Sequence, residues 1–129
     1  MSLSYAKLTQ VNLAHTNLSR AGLNGANLSQ ANLKQANLYG ADLSYTDLRG
    51  ADLTGTDLRC ALLLNANLTG AKLNGANLQW AALTDVIPAD LDLSQAYLSR
   101  TMLPGGYPSD GYDAINRYLK AWAEQDNFL

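Results

Sequence analysis

Leucine recurs every five residues along most of this 129-residue chain, and no other feature limits the possible folds so strongly. It stands at positions 3, 8, 13 and onward in steps of five to 83, then at 93, 98 and 103, with Pro88 in the one slot left over; twenty of twenty-one slots are filled alike. On an α-helix, at about 100° per residue, each Leu would turn about 140° from the last and the set would be smeared around the cylinder. On a straight strand an odd step sends alternate Leu to opposite faces. Burying one Leu is worth about 1.5–3 kcal/mol, so a fold that leaves twenty in water is excluded. The chain therefore bends once per repeat, so that every Leu points to one central axis and stacked coils, about 4.8 Å apart, share backbone hydrogen bonds.

The other four slots agree with a narrow coil. Two residues before Leu stands a small or modest side chain, as in Ala26, Ala31, Ala36, Thr46, Thr56 and Val86, because a tube filled by Leu has no room for a second large group. Composition follows: Leu numbers 25 and Ala 19, whereas Val and Ile together number four and Phe one. Asn or Asp usually precedes Leu, giving Ala31-Asn32-Leu33 and Ala51-Asp52-Leu53, and suits side-chain hydrogen bonds to turn backbone. Seven of the ten Gly fall in the last slot, where the corner is tightest.

The A-[N/D]-L-x-x pattern over Met1 to Gly105 resembles that of the pentapeptide repeat proteins. The period by itself does not choose between three and four sides. The resemblance implies an all-β, right-handed quadrilateral β-helix with four pentapeptides per coil, about five coils in all. Two regions are expected: the β-helix over 1–105, and a connector with a C-terminal capping α-helix over 106–129.

The expected helix runs from about 111 to 124. Ser109 or Asp110 caps its start, Asp113 sits in the first turn, and Tyr112, Ile115, Leu119 and Trp122 form one apolar stripe. Laid over the last coil, that stripe covers core Leu and strand edges that an open solenoid end would expose. No comparable cap precedes Leu3, which makes end-to-end stacking of two copies an expected route to a homodimer. Around Pro88 a local distortion is expected, since proline donates no ladder hydrogen bond, with Ile87 or Leu91 helping to fill the axis.

A formal net charge of −2, from 11 acidic and 9 basic side chains, lacks the basic excess of direct nucleic-acid binding. No segment approaches the ~18–20 apolar residues of a membrane span, and Met1 to Arg20 has no signal-peptide pattern, so a cytoplasmic chain without membrane contact is expected. One cysteine, Cys60, allows neither an intrachain disulfide nor a multi-cysteine metal site. Asp42, Asp47, Asp52 and Asp57 resemble an acidic cluster, yet residues five apart point to different sides of a four-sided coil, which spreads them around the rod as turn-supporting groups. His15 and Cys60 fall at corners without catalytic neighbours in the pattern. No catalytic residue, cofactor site or metal site is expected.

Residues about twenty apart stack. Leu62, Ala82 and Met102 then share an outward column beside Cys60, Trp80 and Arg100, with Leu64 just after, and Tyr39 and Tyr97 on the same side. Apolar residues stand here where the pattern is polar elsewhere, so Leu62, Leu64, Trp80, Met102, Tyr39 and Tyr97 are the candidate protein interface, unless the C-terminal segment folds over them. The chain reads as a non-catalytic interaction or scaffold module with an unidentified protein partner. The family resemblance supplies an alternative, since some pentapeptide repeat proteins mimic duplex DNA and bind type II topoisomerases such as DNA gyrase.

Overall fold

The structure, a computed structural model, describes residues 1–105. Every bridge between neighbouring segments is parallel and joins residues twenty apart, from Ser2 and Gly22 to Ala82 and Met102. Twenty residues hold four pentapeptides, so the period of five closes a coil with four corners, and the chain is a repeat β-helix. Its outward positions form four columns. The first face carries Ser2, Gly22, Asp42, Leu62, Ala82 and Met102; the second carries Lys7, Asn27, Asp47, Asn67 and Ile87. The third carries Asn12, Asn32, Asp52 and Lys72, and the fourth Asn17, Asn37, Asp57, Asn77 and Tyr97.

One repeat shows how the backbone is satisfied. Ala31 N–H donates to Leu28 O at 3.0 Å and closes the corner; Asn32 N–H donates to Val11 O in the preceding coil at 2.9 Å. Leu33 and Gln35 N–H donate to Asp52 O and Thr54 O of the following coil at 2.8 and 2.9 Å. Only Lys34 N–H is left, and the Asn32 side-chain oxygen accepts it at 3.1 Å. Asn or Asp before Leu is therefore the residue that completes the count of donors, an Asx turn repeated along the rod.

The corner itself needs a left-handed residue. Its second turn position has φ near +60° at every repeat from Tyr5 to Asp85, which together with the closing N–H···O=C bond is the pattern of a type II turn. Glycine takes it at Gly25, Gly40, Gly50, Gly55, Gly70, Gly75 and Gly105, but twelve other residues, including His15, Cys60 and Trp80, hold the same conformation. The stacked ladder overrides the local preference, and the large residues lean over the next coil: the Tyr5 ring lies above Gly25, and the Arg20 stem above Gly40.

Inside, Leu and the small residue two positions earlier fill the axis. Leu23 to Leu68 at steps of five, with the Ala and Thr beside them, are buried, while Leu3, Leu8 and Leu13 are half-buried. Threonine in the small slot brings a hydroxyl into this core, and each is satisfied: Thr46 donates to Leu43 O, Thr56 to Leu33 O and Thr101 to Leu78 O. No buried side-chain nitrogen or oxygen among the described residues lacks a partner.

The expected distortion lies where Pro88 replaces Leu. Bridges on the third face end at Lys72, and after Asp85 the left-handed corner resumes at Arg100. Leu91, in the inward slot before Leu93, is 7% exposed and packs in the core. Ile87, expected as an equal candidate to fill the axis, is instead 53% exposed. It occupies the outward slot and still bridges Asn67, so the ladder directs its side chain to solvent. The helix expected at 111–124, with its caps and apolar stripe, lies outside the described residues.

Candidate interaction surface

Asx turns occupy most outward polar side chains. Asn17, Asn27, Asn37, Asp42, Asp47, Asp52, Asp57, Asn67 and Asn77 each accept the N–H two residues on. The four carboxylates at 42, 47, 52 and 57 fall in four different columns, as the quarter-turn geometry requires. No group of His, Cys, Asp or Glu among the described residues has the arrangement to hold a metal ion.

Two of these carboxylates are also paired. Arg49 grips Asp47 through Nε at 2.8 Å and Nη2 at 2.6 Å, and Arg59 grips Asp57 at 2.9 and 2.8 Å. The guanidinium hydrogen bonds lower both Asp pKa values against a smaller opposing effect of burial. For Asp52 burial is the largest single influence and raises the value, but the Thr54 hydrogen bonds and the charges of Lys34 and Lys72 together bring it below the ordinary range. Ser94 lowers Asp92 in the same way through its hydroxyl and N–H.

The first face departs from this regime in its later coils. Leu62, Ala82 and Met102 stack where Asn or Asp stands elsewhere, and Leu62 and Met102 are 44% and 39% exposed. Trp80, at the corner leading into this face, is 60% exposed, and the Arg100 guanidinium lies 4.9 Å from its ring centroid. Two coils earlier at the same corner, Arg59 lies 5.3 Å from the half-buried Tyr39 ring.

The six candidate interface residues are thus only partly brought together. Leu62 and Met102 share the column, and Trp80 borders it. Leu64 is half-buried at the opposite corner. Tyr97, expected on the same side, belongs to the fourth face, stacked on Asn77, because it precedes the corner that Arg100 occupies. Ile87 is an exposed apolar residue of the second face that the twenty-residue rule, applied to Lys7, Asn27, Asp47 and Asn67, would have placed outward. His15 and Cys60 are exposed at corners.

The family model described as pentapeptide repeats matches this chain in eight copies, over residues 2–35, 23–59 and 51–87, ending just before Pro88. The chain belongs to the pentapeptide repeat family. Among solved structures, a pentapeptide repeat protein from Nostoc PCC 7120 is 42% identical, covering 74% of this chain and 78% of its own, with a TM-score of 0.49. Rfr23, a pentapeptide repeat protein from the cyanobacterium Cyanothece 51142, is 40% identical over 69% of this chain and 60% of its own, with a TM-score of 0.41. One from the thylakoid lumen of Arabidopsis thaliana is 32% identical over 71% and 68%, with a TM-score of 0.43. Comparison with curated proteins returns no match.

Proposed function

We propose that the chain is a non-catalytic protein-interaction module whose working surface is the later part of the first face. The observation that carries this reading is the apolar column Leu62–Ala82–Met102, exposed at Leu62 and Met102, beside exposed Trp80. An Asn or Asp at those positions would support its own turn, as it does at 42, whereas Leu62 and Met102 forgo that hydrogen bond and leave apolar surface in water. Both choices count against the folding of residues 1–105 taken alone, which supports a use of these side chains in a contact beyond that part of the rod. Trp and Arg at the border are the residue types that anchor protein contacts. The outward polar groups elsewhere are engaged in turns and ion pairs, which supports a structural rather than a catalytic use.

The topoisomerase alternative has less support, because mimicry of duplex DNA needs a strongly acidic surface. The described residues carry seven Asp against seven Lys and Arg, and Asp47 and Asp57 are neutralised by Arg49 and Arg59. A supercoiling assay with gyrase should show neither inhibition nor protection.

The interaction reading is tested by cross-linking and affinity purification from the native cell, comparing the wild type with a Trp80→Ala, Leu62→Ser double variant. One partner present with the wild type and lost with the variant is expected. Partners recovered equally by both, or none that is specific, would refute it.

A further inference from the structure

We propose that the Arg100–Trp80 corner and the adjoining column form a docking site for a short acidic segment of a partner protein, one that carries a carboxylate next to an apolar side chain. It rests on the interaction-module reading above and adds the chemistry of the partner.

Half-buried Ala82 lies between the exposed Leu62 and Met102 in the column, so the surface dips at its methyl by the difference in side-chain length, a shallow apolar depression. Neighbouring coils are about 4.8 Å apart, so Leu62 and Met102 stand about 9.6 Å from each other, enough for one aliphatic or aromatic group. Trp80 borders that depression on the side of its own corner.

The charge of the site selects the ligand. The Arg100 guanidinium carbon lies 4.9 Å from the Trp80 ring centroid, a cation–π contact that restrains the side chain and reduces the entropy it loses on binding. The ion pairs among the described residues are Lys34–Asp52, Arg49–Asp47 and Arg59–Asp57, and none involves Arg100. Among the described residues the one carboxylate in the first-face column is Asp42, three coils below Met102, and its side chain accepts the Ser44 N–H. A guanidinium restrained by the indole and unpaired with any acid among the described residues, beside an apolar depression, matches a carboxylate in paired hydrogen bonds next to an apolar group.

A second copy of this chain fits less well. A patch two coil steps long covers on the order of 100–200 Å², far below the ~800 Å² per partner of a stable dimer. The one acid on the matching column of a second copy, Asp42, is already engaged by the Ser44 N–H.

The test is to pan a random peptide library on phage against the full chain and to measure labelled, enriched peptides by fluorescence anisotropy. Enriched sequences should place Asp or Glu next to Leu, Phe or Trp. Arg100→Gln should weaken them by about tenfold or more, and so should added salt. Ala82→Asp fills the depression with the repeat's own residue and offers the Thr84 N–H an acceptor, so it should abolish binding without lowering the melting temperature. Arg49→Gln, on the second side of the rod, should change nothing.

Enrichment of peptides without acids, or binding indifferent to Arg100→Gln yet lost in Leu62→Ser, would overturn the acidic partner and leave the interaction module standing. No enrichment, or self-association in ultracentrifugation that Leu62→Ser abolishes, would also overturn it; the module itself stands or falls on the cross-linking comparison.

Discussion

Two glycines three residues apart should respond to substitution with opposite signs. Gly22 sits in the outward slot before Leu23, where most repeats have Asn or Asp, and its φ is not in the left-handed region. A Cβ built there meets nothing closer than 3.7 Å, the Met1 carbonyl oxygen and the Ser4 hydroxyl. Gly22→Asn should therefore gain about 0.4–1 kcal/mol from the reduced freedom of the unfolded chain. It also supplies an acceptor for the Asn24 N–H, worth about 0.5–1.5 kcal/mol. The sum is about 1–2.5 kcal/mol of added stability, at several degrees of melting temperature per kcal/mol. Gly25 holds a corner at φ +70°, and a Cβ there would stand 2.5 Å from the Tyr5 ring. Gly25→Ala adds the left-handed penalty of about 1–2 kcal/mol and pushes Tyr5 off its seat. Urea denaturation and thermal melts followed by circular dichroism measure both. A destabilised Gly22→Asn, or a Gly25→Ala as stable as the wild type, would refute the assignment of roles to the two slots.

Leu53→Ala removes a fully buried axis side chain whose stacked neighbours have nothing else to fill the gap, and should cost about 2–5 kcal/mol in the same denaturation experiment. Asn37→Ala strands the Tyr39 N–H and should cost about 1 kcal/mol, whereas Asn37→Asp, which keeps the acceptor, should be close to neutral. Asp47, Asp52, Asp57 and Asp92 all have lowered native pKa values, so their contribution is fully present above the ordinary carboxylate range and is lost as pH falls through the native values. Denaturation midpoints should hold from neutral pH to about 4 and drop below it, with a shallower drop in Asp47→Asn, Asp57→Asn; a flat profile to pH 2 would contradict the ion pairs.

The axis residues, the bend and the Asx turns are legible in the repeat, because each follows from a period that only a chain bent once per repeat satisfies. The number of sides did not follow from the period, since three or four corners both bring Leu inward; the bridge between Asn32 and Asp52 decides it. The columns Leu62–Ala82–Met102 and Cys60–Trp80–Arg100 were readable once residues twenty apart were taken to stack. Tyr97 was misplaced because it lies one slot before the corner, and Ile87 because hydrophobicity alone suggested the interior. Slot parity, rather than side-chain type, governs both. The left-handed conformation at Tyr5, Trp80 and Arg100 was hidden for a related reason: local preference favours glycine there, and stacked coils impose the corner regardless.

The quarter-turn step separates what the core needs from what the surface displays. Insertion or deletion of twenty residues adds or removes one floor and leaves every outward column in line. A shift of five keeps each Leu on the axis and each donor matched, yet rotates everything downstream by one side, carrying Met102 away from Leu62. Sequence length between residues 62 and 102 thus acts as a phase setting: the interior reads it in fives, the binding face in twenties, and a lineage of such rods can reassemble its surface without repacking its core.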